Sequence, residues 1–232
     1  MYKESIQDAI SMHELPTHWH SDVLKEAEFV SNKKKSAKYR RDLRNIPFAT
    51  IDGEDAKDFD DAIYCVKNTS GYKLYVAIAD VSFYVEANSK LDKEAKKRGT
   101  SIYFPETVIP MLPENLSNGI CSLRPNEDRC SMICEMSIDL DGTRKKYKFY
   151  SGLINSKARL TYNQVEKHFK KSSSIKQSIV RESIKHLFDL TNVRLKLRNQ
   201  RRALEINPTE AILELNKNKE VNNIVIKKNL FA

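Results

Sequence analysis

From Tyr2 to Val30 apolar residues recur at helical spacing, with Ile6, Ala9, Ile10 and Met12 before Pro16 and Val23, Leu24, Ala27 and Val30 after it. The pattern predicts two short helices around a proline break. Ser31 to Asn45, SNKKKSAKYRRDLRN, is densely basic without apolar periodicity and predicts an exposed lead-in segment. The character then changes. Short alternating runs at Phe48–Ile51, Ala62–Val66, Lys73–Ile78 and Val81–Val85 predict strands. Leu91–Arg98 reads as a helix, and Ile102–Met111, broken by Pro105 and Pro110, as an extended segment. Met132–Ile138 and Tyr147–Leu153 predict a hairpin through the Asp141-Gly142 turn. A long amphipathic helix over Ile179–Arg198 carries Ile184, Leu187, Phe188, Thr191 and Leu195 on one side, and Leu204–Ile226 predicts a last hairpin. Strands followed by helices, without repeats or a glycine-rich linker, indicate a mixed α+β fold. Its simplest division is a helical and basic lead-in over 1–45 and one domain over 46–232.

Forty Lys and Arg against 31 Asp and Glu leave a net charge of +9, which favours a polyanionic partner because basic groups near phosphates release condensed counterions. Charge alone separates neither RNA from DNA nor either from an anionic membrane. No uncharged apolar run is long enough to span a bilayer, and the N-terminus lacks the apolar segment of a secretory signal, so the expected location is the cytoplasm. Cys65, Cys121, Cys130 and Cys134 sit among apolar neighbours without paired spacing and read as reduced, structural thiols. Cys130 and Cys134 have no second ligand pair at zinc spacing, and His18-Trp19-His20 has no carboxylate or thiol at a recognised ligand spacing to complete a set.

Against this basic background, Thr50-Ile51-Asp52-Gly53-Glu54-Asp55-Ala56-Lys57-Asp58-Phe59-Asp60-Asp61-Ala62 concentrates carboxylates between two strand-like runs. Carboxylates held together resist ionisation unless a divalent cation neutralises them. Oxygen-only ligands suit magnesium or manganese better than zinc or copper. A calcium EF-hand fails, because a loop starting at Asp52 puts Lys57 where glycine is needed and Ile63 where the bidentate glutamate belongs. An acidic surface turn is the competing explanation. Phe59, an aromatic among aspartates, argues instead for a loop anchored to a core.

The block TIDGEDAKDFDDAIY, followed in order by YVAIADVSFYV, RGTSIYFPETVIPMLPENLSNGICSL and KARLTY, resembles the signature of the ribonuclease II/R catalytic domain, the RNB domain. The resemblance begins near His13-Glu14-Leu15-Pro16 and runs to about Glu205. It implies an RNB-type fold and a magnesium-dependent 3′-to-5′ exoribonuclease, with manganese as the alternative ion, that takes single-stranded RNA. Asp52, Asp58, Asp60 and Asp61 would then line a metal site: Asp52 and Asp61 mainly as metal ligands, Asp60 for metal and water activation, Asp58 as a supporting ligand or as a group behind the ligands. The chemistry implied is metal-assisted in-line displacement at a phosphodiester. Tyr103 matches the family tyrosine that stacks on a terminal base. Two departures stand out. Ile206, in Arg201-Arg202-Ala203-Leu204-Glu205-Ile206, stands where the family usually has a phenylalanine. The arginine-rich segment that follows later in the family, and its flanking OB-type domains, are not in this sequence, so the resemblance implies part of a domain. A non-cleaving RNA-binding module and a remnant without a settled fold are the other readings.

Overall fold

The computed structural model of the chain describes residues 2–33, 38–105, 107–171, 175–204, 209–216 and 220–228. A seven-stranded mixed sheet organises it. The strands are β1 (Arg41–Asp42), β2 (Ala49–Asp52), β3 (Asp61–Asn68), β4 (Gly71–Ala79), β7 (Asp128–Ile138), β8 (Arg144–Asn155) and β9 (Ala158–Thr161), in the order β1-β8-β7-β4-β3-β2-β9. The four central pairings are antiparallel, and the outermost pairings, β1 with β8 and β2 with β9, are parallel. A small hairpin of β5 (Ile102–Phe104) and β6 (Thr107–Ile109) and another of β10 (Thr209–Leu215) and β11 (Val221–Lys228) complete the strands. The helices are α1 (Tyr2–Met12), α2 (Ser21–Ser31), α3 (Lys90–Arg98), α4 (Tyr162–Lys171) and α5 (Ser178–Gln200).

Period-two alternation decides which residues each face of the sheet buries. One face buries Ala62, Ala77, Ile133 and Ile154 with Phe48, Phe59 and Leu123. The other packs Cys65, Leu74, Met136 and Ile138 under Leu187 and Leu190 of α5. Beside it Ala49 and Leu160 meet Val180 and Ile184. The buried side of α5 is therefore Val180, Ser183, Ile184 and Leu190, whereas Phe188 stacks on Phe169 of α4 and Thr191 stays exposed. Two glycines are obligatory at turns. Gly71 opens β4 at φ +142°, where a Cβ would lie 2.1 Å from the Ile138 carbonyl oxygen. Gly142 takes φ +88° in the β7–β8 turn, as the Asp-Gly signal requires.

Two expectations need correction. Val81–Val85 is not a strand: Val81–Phe83 form a 3-10 turn. The Ser82 hydroxyl donates to Asp80, as does Arg40, and the Phe83 amide donates to the Asp80 carbonyl oxygen, so Asp80 curls the chain and Tyr84 drops into the core. The end of the basic run is not simply solvated either. Arg40 is buried against Asp80 at 2.6 Å, Arg41 lies over the Tyr150 ring at 4.0 Å, and Arg41–Asp42 extends the sheet edge. The α2 helix also joins the core, packing Val23, Ala27 and Val30 with Tyr84, Leu91, Leu116 and Cys121. His18 and Trp19 serve structure: Arg98 donates to the His18 carbonyl oxygen and stacks on Trp19 at 3.4 Å. The four cysteines are free thiols, and burial pushes Cys65 and Cys121 up to about 12, which makes them unreactive at neutral pH. Among the described residues no helix is long and apolar enough to cross a membrane. Ile206 lies outside the described residues.

Candidate metal and RNA site

Asp52 is the last residue of β2 and Asp61 the first of β3, so the acidic loop joins two neighbouring strands of one sheet. Its far half is anchored from below. Phe59 is buried, and its amide donates to the Ser122 hydroxyl, which itself donates to the Lys57 carbonyl oxygen. The Leu123 amide donates to the Phe59 carbonyl oxygen, and the Ala79 amide to that of Asp60. The near half is held from β9. The Arg159 guanidinium donates to the carbonyl oxygens of Gly53 (2.6 Å) and Glu54 (2.7 Å) and faces the Phe59 ring at 5.6 Å. Asn163, in the first turn of α4, donates to the Glu54 carboxylate at 2.9 Å.

This scaffold gathers Asp52, Asp58, Asp60 and Asp61 within mutual electrostatic reach. Burial pushes the Asp52 carboxyl above the ordinary aspartate range, Asp61, Asp58 and Asp60 add to the rise, and Arg159 opposes it. Asp60 is raised first by desolvation and then by Asp58 and Asp61. Desolvation also raises Asp61. Asp60 and Asp61 keep exposed surface, so the loss of water comes from the protein packed around the carboxyl groups rather than from enclosure. None of the four has a Lys or Arg ion-pair partner among the described residues, and the buried Oδ2 of Asp52 has no hydrogen-bond partner. An unpartnered buried carboxylate oxygen costs free energy that a cation would return. Oxygen-only donors, mutual repulsion and this orphaned oxygen fit a hard divalent ion. The cluster is nonetheless open: among the described residues no three His, Cys, Asp or Glu side chains converge tightly enough to enclose one.

Two exposed tyrosines flank the carboxylates. Tyr103, on β5, is 64% exposed, and its hydroxyl donates to Asp58 Oδ2 at 2.9 Å. Desolvation and the Asp58 carboxylate hold its hydroxyl above the usual tyrosine range. Tyr162, at the start of α4, is equally exposed, and desolvation and the charges of Asp52 and Asp61 raise its ionisation. All five residues singled out in the sequence thus lie in one neighbourhood. Ser122, Arg159, Tyr162 and Asn163 belong to it too, although sequence reasoning assigned them no role. Arg159 and Tyr162 stand in the KARLTY block, but only the parallel pairing of β9 with β2, a hundred residues away in sequence, brings them under the loop.

A mixed α+β fold thus displays clustered aspartates at the junction of two neighbouring strands, β2 and β3, with exposed tyrosines beside them. The chain belongs to the RNB domain family, whose model matches residues 40–232. It is 42% identical over 228 residues to ribonuclease R of Escherichia coli strain K12, which covers 95% of this chain and 28% of that protein. To ribonuclease R of Mycoplasmopsis pulmonis it is 56% identical over 146 residues, 62% of this chain and 20% of that protein. Among solved structures it superposes on Mycoplasma genitalium RNase R in complex with double-stranded RNA with a TM-score of 0.91 at 33% identity, covering 96% of this chain and 40% of that one. The chain therefore spans well under half the length of these relatives, and its fold is that of the corresponding part.

Proposed function

We propose that this chain carries the aspartate site of a 3′-to-5′ exoribonuclease that hydrolyses single-stranded RNA to nucleoside 5′-monophosphates in the cytoplasm. Residues 46–232 would be part of the catalytic domain and 1–45 the lead-in packed onto it. The observation that carries this reading is a group of four aspartates without a Lys or Arg ion-pair partner among the described residues of a basic protein, beside an exposed aromatic hydrogen-bonded to one of them. Its family membership and its likeness to ribonuclease R support the same reading.

Asp52, Asp60 and Asp61 are the residues to hold magnesium, or manganese in its place, with Asp58 supporting them. Bound there, the ion supplies positive charge against the scissile phosphate and the departing 3′ oxygen. The chain's own groups do the rest. Asp60, flanked by Asp58 and Asp61, would help hold the ion and orient the attacking water. Tyr103 presents a ring face that tolerates any base, while its hydroxyl fixes the Asp58 carboxylate. The alternative reading, RNA binding without cleavage, is favoured by the open arrangement of the carboxylates. A 3′-labelled and a 5′-labelled single-stranded RNA incubated with the protein and magnesium separate the two. Release of labelled mononucleotide from the 3′ end only, lost on chelation, is the expected result; salt-sensitive binding with unchanged RNA length selects the alternative.

A further inference from the structure

The acidic loop has two halves, and a different group holds each. Ser122 grips Lys57–Phe59 from within the core. At the near half, by contrast, the main chain makes a single internal hydrogen bond, from the Ala56 amide to the Gly53 carbonyl oxygen at a long 3.4 Å. Gly53, directly after Asp52, has nothing within 4 Å of where a Cβ would stand. Asp52 is still paired with Thr161 of β9, but local sterics do not hold the chain at Gly53 once β2 ends. Arg159 supplies what the loop lacks. It lies on β9, opposite Thr50 in the parallel register, and reaches past the end of β2 to both the Gly53 and Glu54 carbonyl oxygens. The same guanidinium faces the ring of Phe59, which stands between Asp58 and Asp60. One planar cation thus touches both halves of the loop, each beside a carboxylate of the cluster.

We infer that Arg159 is a positioning residue of the metal site: its two-carbonyl grip and its ring contact set the spacing between Asp52 and the Asp58–Asp61 group, without Arg159 touching substrate or ion. The inference rests on the reading of these aspartates as a metal site. Its chemistry is specific to arginine. A lysine ammonium is a point charge on a flexible stem and cannot hold two carbonyls in fixed directions while lying flat on a ring. The guanidinium is also committed to main-chain oxygens, so it steadies the loop without forming an ion pair with any of the four aspartates. An arginine inserted among the carboxylates would compete with the cation; one tied beneath them does not.

Two measurements on the full chain, as Arg159→Gln and Arg159→Lys, test this. Amide hydrogen exchange without metal reads the loop directly. Arg159→Gln is expected to speed exchange over 53–60 while the β3–β4–β7 amides and the cooperative melting transition stay in place, with Arg159→Lys between it and the parent. Manganese binding followed by electron paramagnetic resonance reads the consequence, a weakening of about 10-fold or more in Arg159→Gln, the usual scale for losing a group that orients metal ligands, with partial recovery in Arg159→Lys. Unchanged loop exchange in Arg159→Gln overturns the inference, as does unchanged manganese affinity. Should the parent chain bind no manganese, the metal-site reading fails, and the exchange experiment still decides whether Arg159 holds the loop.

Discussion

The protein handles its aspartates in two opposite ways. Near the β1 edge each carboxylate has been given an arginine. Asp80 meets Arg40 at 2.6 Å with both side chains buried. Asp42 accepts from Arg44, whose hydrogen bonds hold its carboxyl down to about 2. At the β2–β3 junction four aspartates share a neighbourhood with no such partner among the described residues, and three of them are pushed upward in ionisation. With 40 basic residues in the chain, a shortage of cations does not explain the difference. Where charge serves the fold, the chain neutralises it internally; where charge is left standing, the structure is less stable for it and open to an external cation. Uncompensated charge in a defined place is what a functional site costs.

Substitutions at the two ends should therefore fail in different ways. The largest effect is expected from Asp60→Asn, which should lower the rate of mononucleotide release by about a thousandfold, several kcal/mol of barrier, while the protein still melts cooperatively. A rate within a few-fold of the parent would remove Asp60 from the chemistry. Asp80→Ala should do the reverse, because it strands the buried Arg40 guanidinium. A loss of about 3–5 kcal/mol in urea unfolding is expected, with turnover per folded molecule preserved under stabilising conditions. Tyr103→Ala should weaken binding of single-stranded RNA by about 1–3 kcal/mol, and Tyr103→Phe, which keeps the ring but releases Asp58, should retain most of that affinity in a fluorescence titration.

The smallest effect carries the most informative sign. A carboxyl whose ionisation is raised on folding makes the folded state bind more protons than the unfolded one, so its contribution to stability falls as pH rises through the carboxylate range. In chelator, Asp60→Asn should therefore raise the melting temperature by a few degrees near neutral pH, with the gain shrinking on acidification. Asp42→Asn should do the opposite, losing stability that is present above the ordinary aspartate range and disappears as pH falls toward 2. For the proposed metal site, the same raised ionisation should make manganese affinity fall earlier on acidification than isolated aspartates would. A melting temperature for Asp60→Asn equal to or below that of the parent would mean that the acidic cluster is not strained without a cation.

What could be read along the chain was whatever repeats over a short span. Alternation in Lys73–Ile78 and Met132–Ile138, the Asp141-Gly142 turn and the apolar side of Ile179–Arg198 each announce an element, because side-chain period and turn chemistry are local. The aspartates were visible by their density in one stretch, whereas Tyr103 stood out only through the family resemblance of its block. Tertiary structure decided what depends on distant partners. Val81–Val85 has a strand's composition, yet Asp80, secured by Arg40, turns it aside. Arg159 and Ser122 are unremarkable in their own neighbourhoods and acquire a role only where the parallel β2–β9 pairing and the turn before β7 bring them beneath the loop. Hydrogen bonds to main-chain carbonyls are available to any donor, so nothing in residue identity reveals which oxygen an arginine will find; only the folded path of the chain selects it.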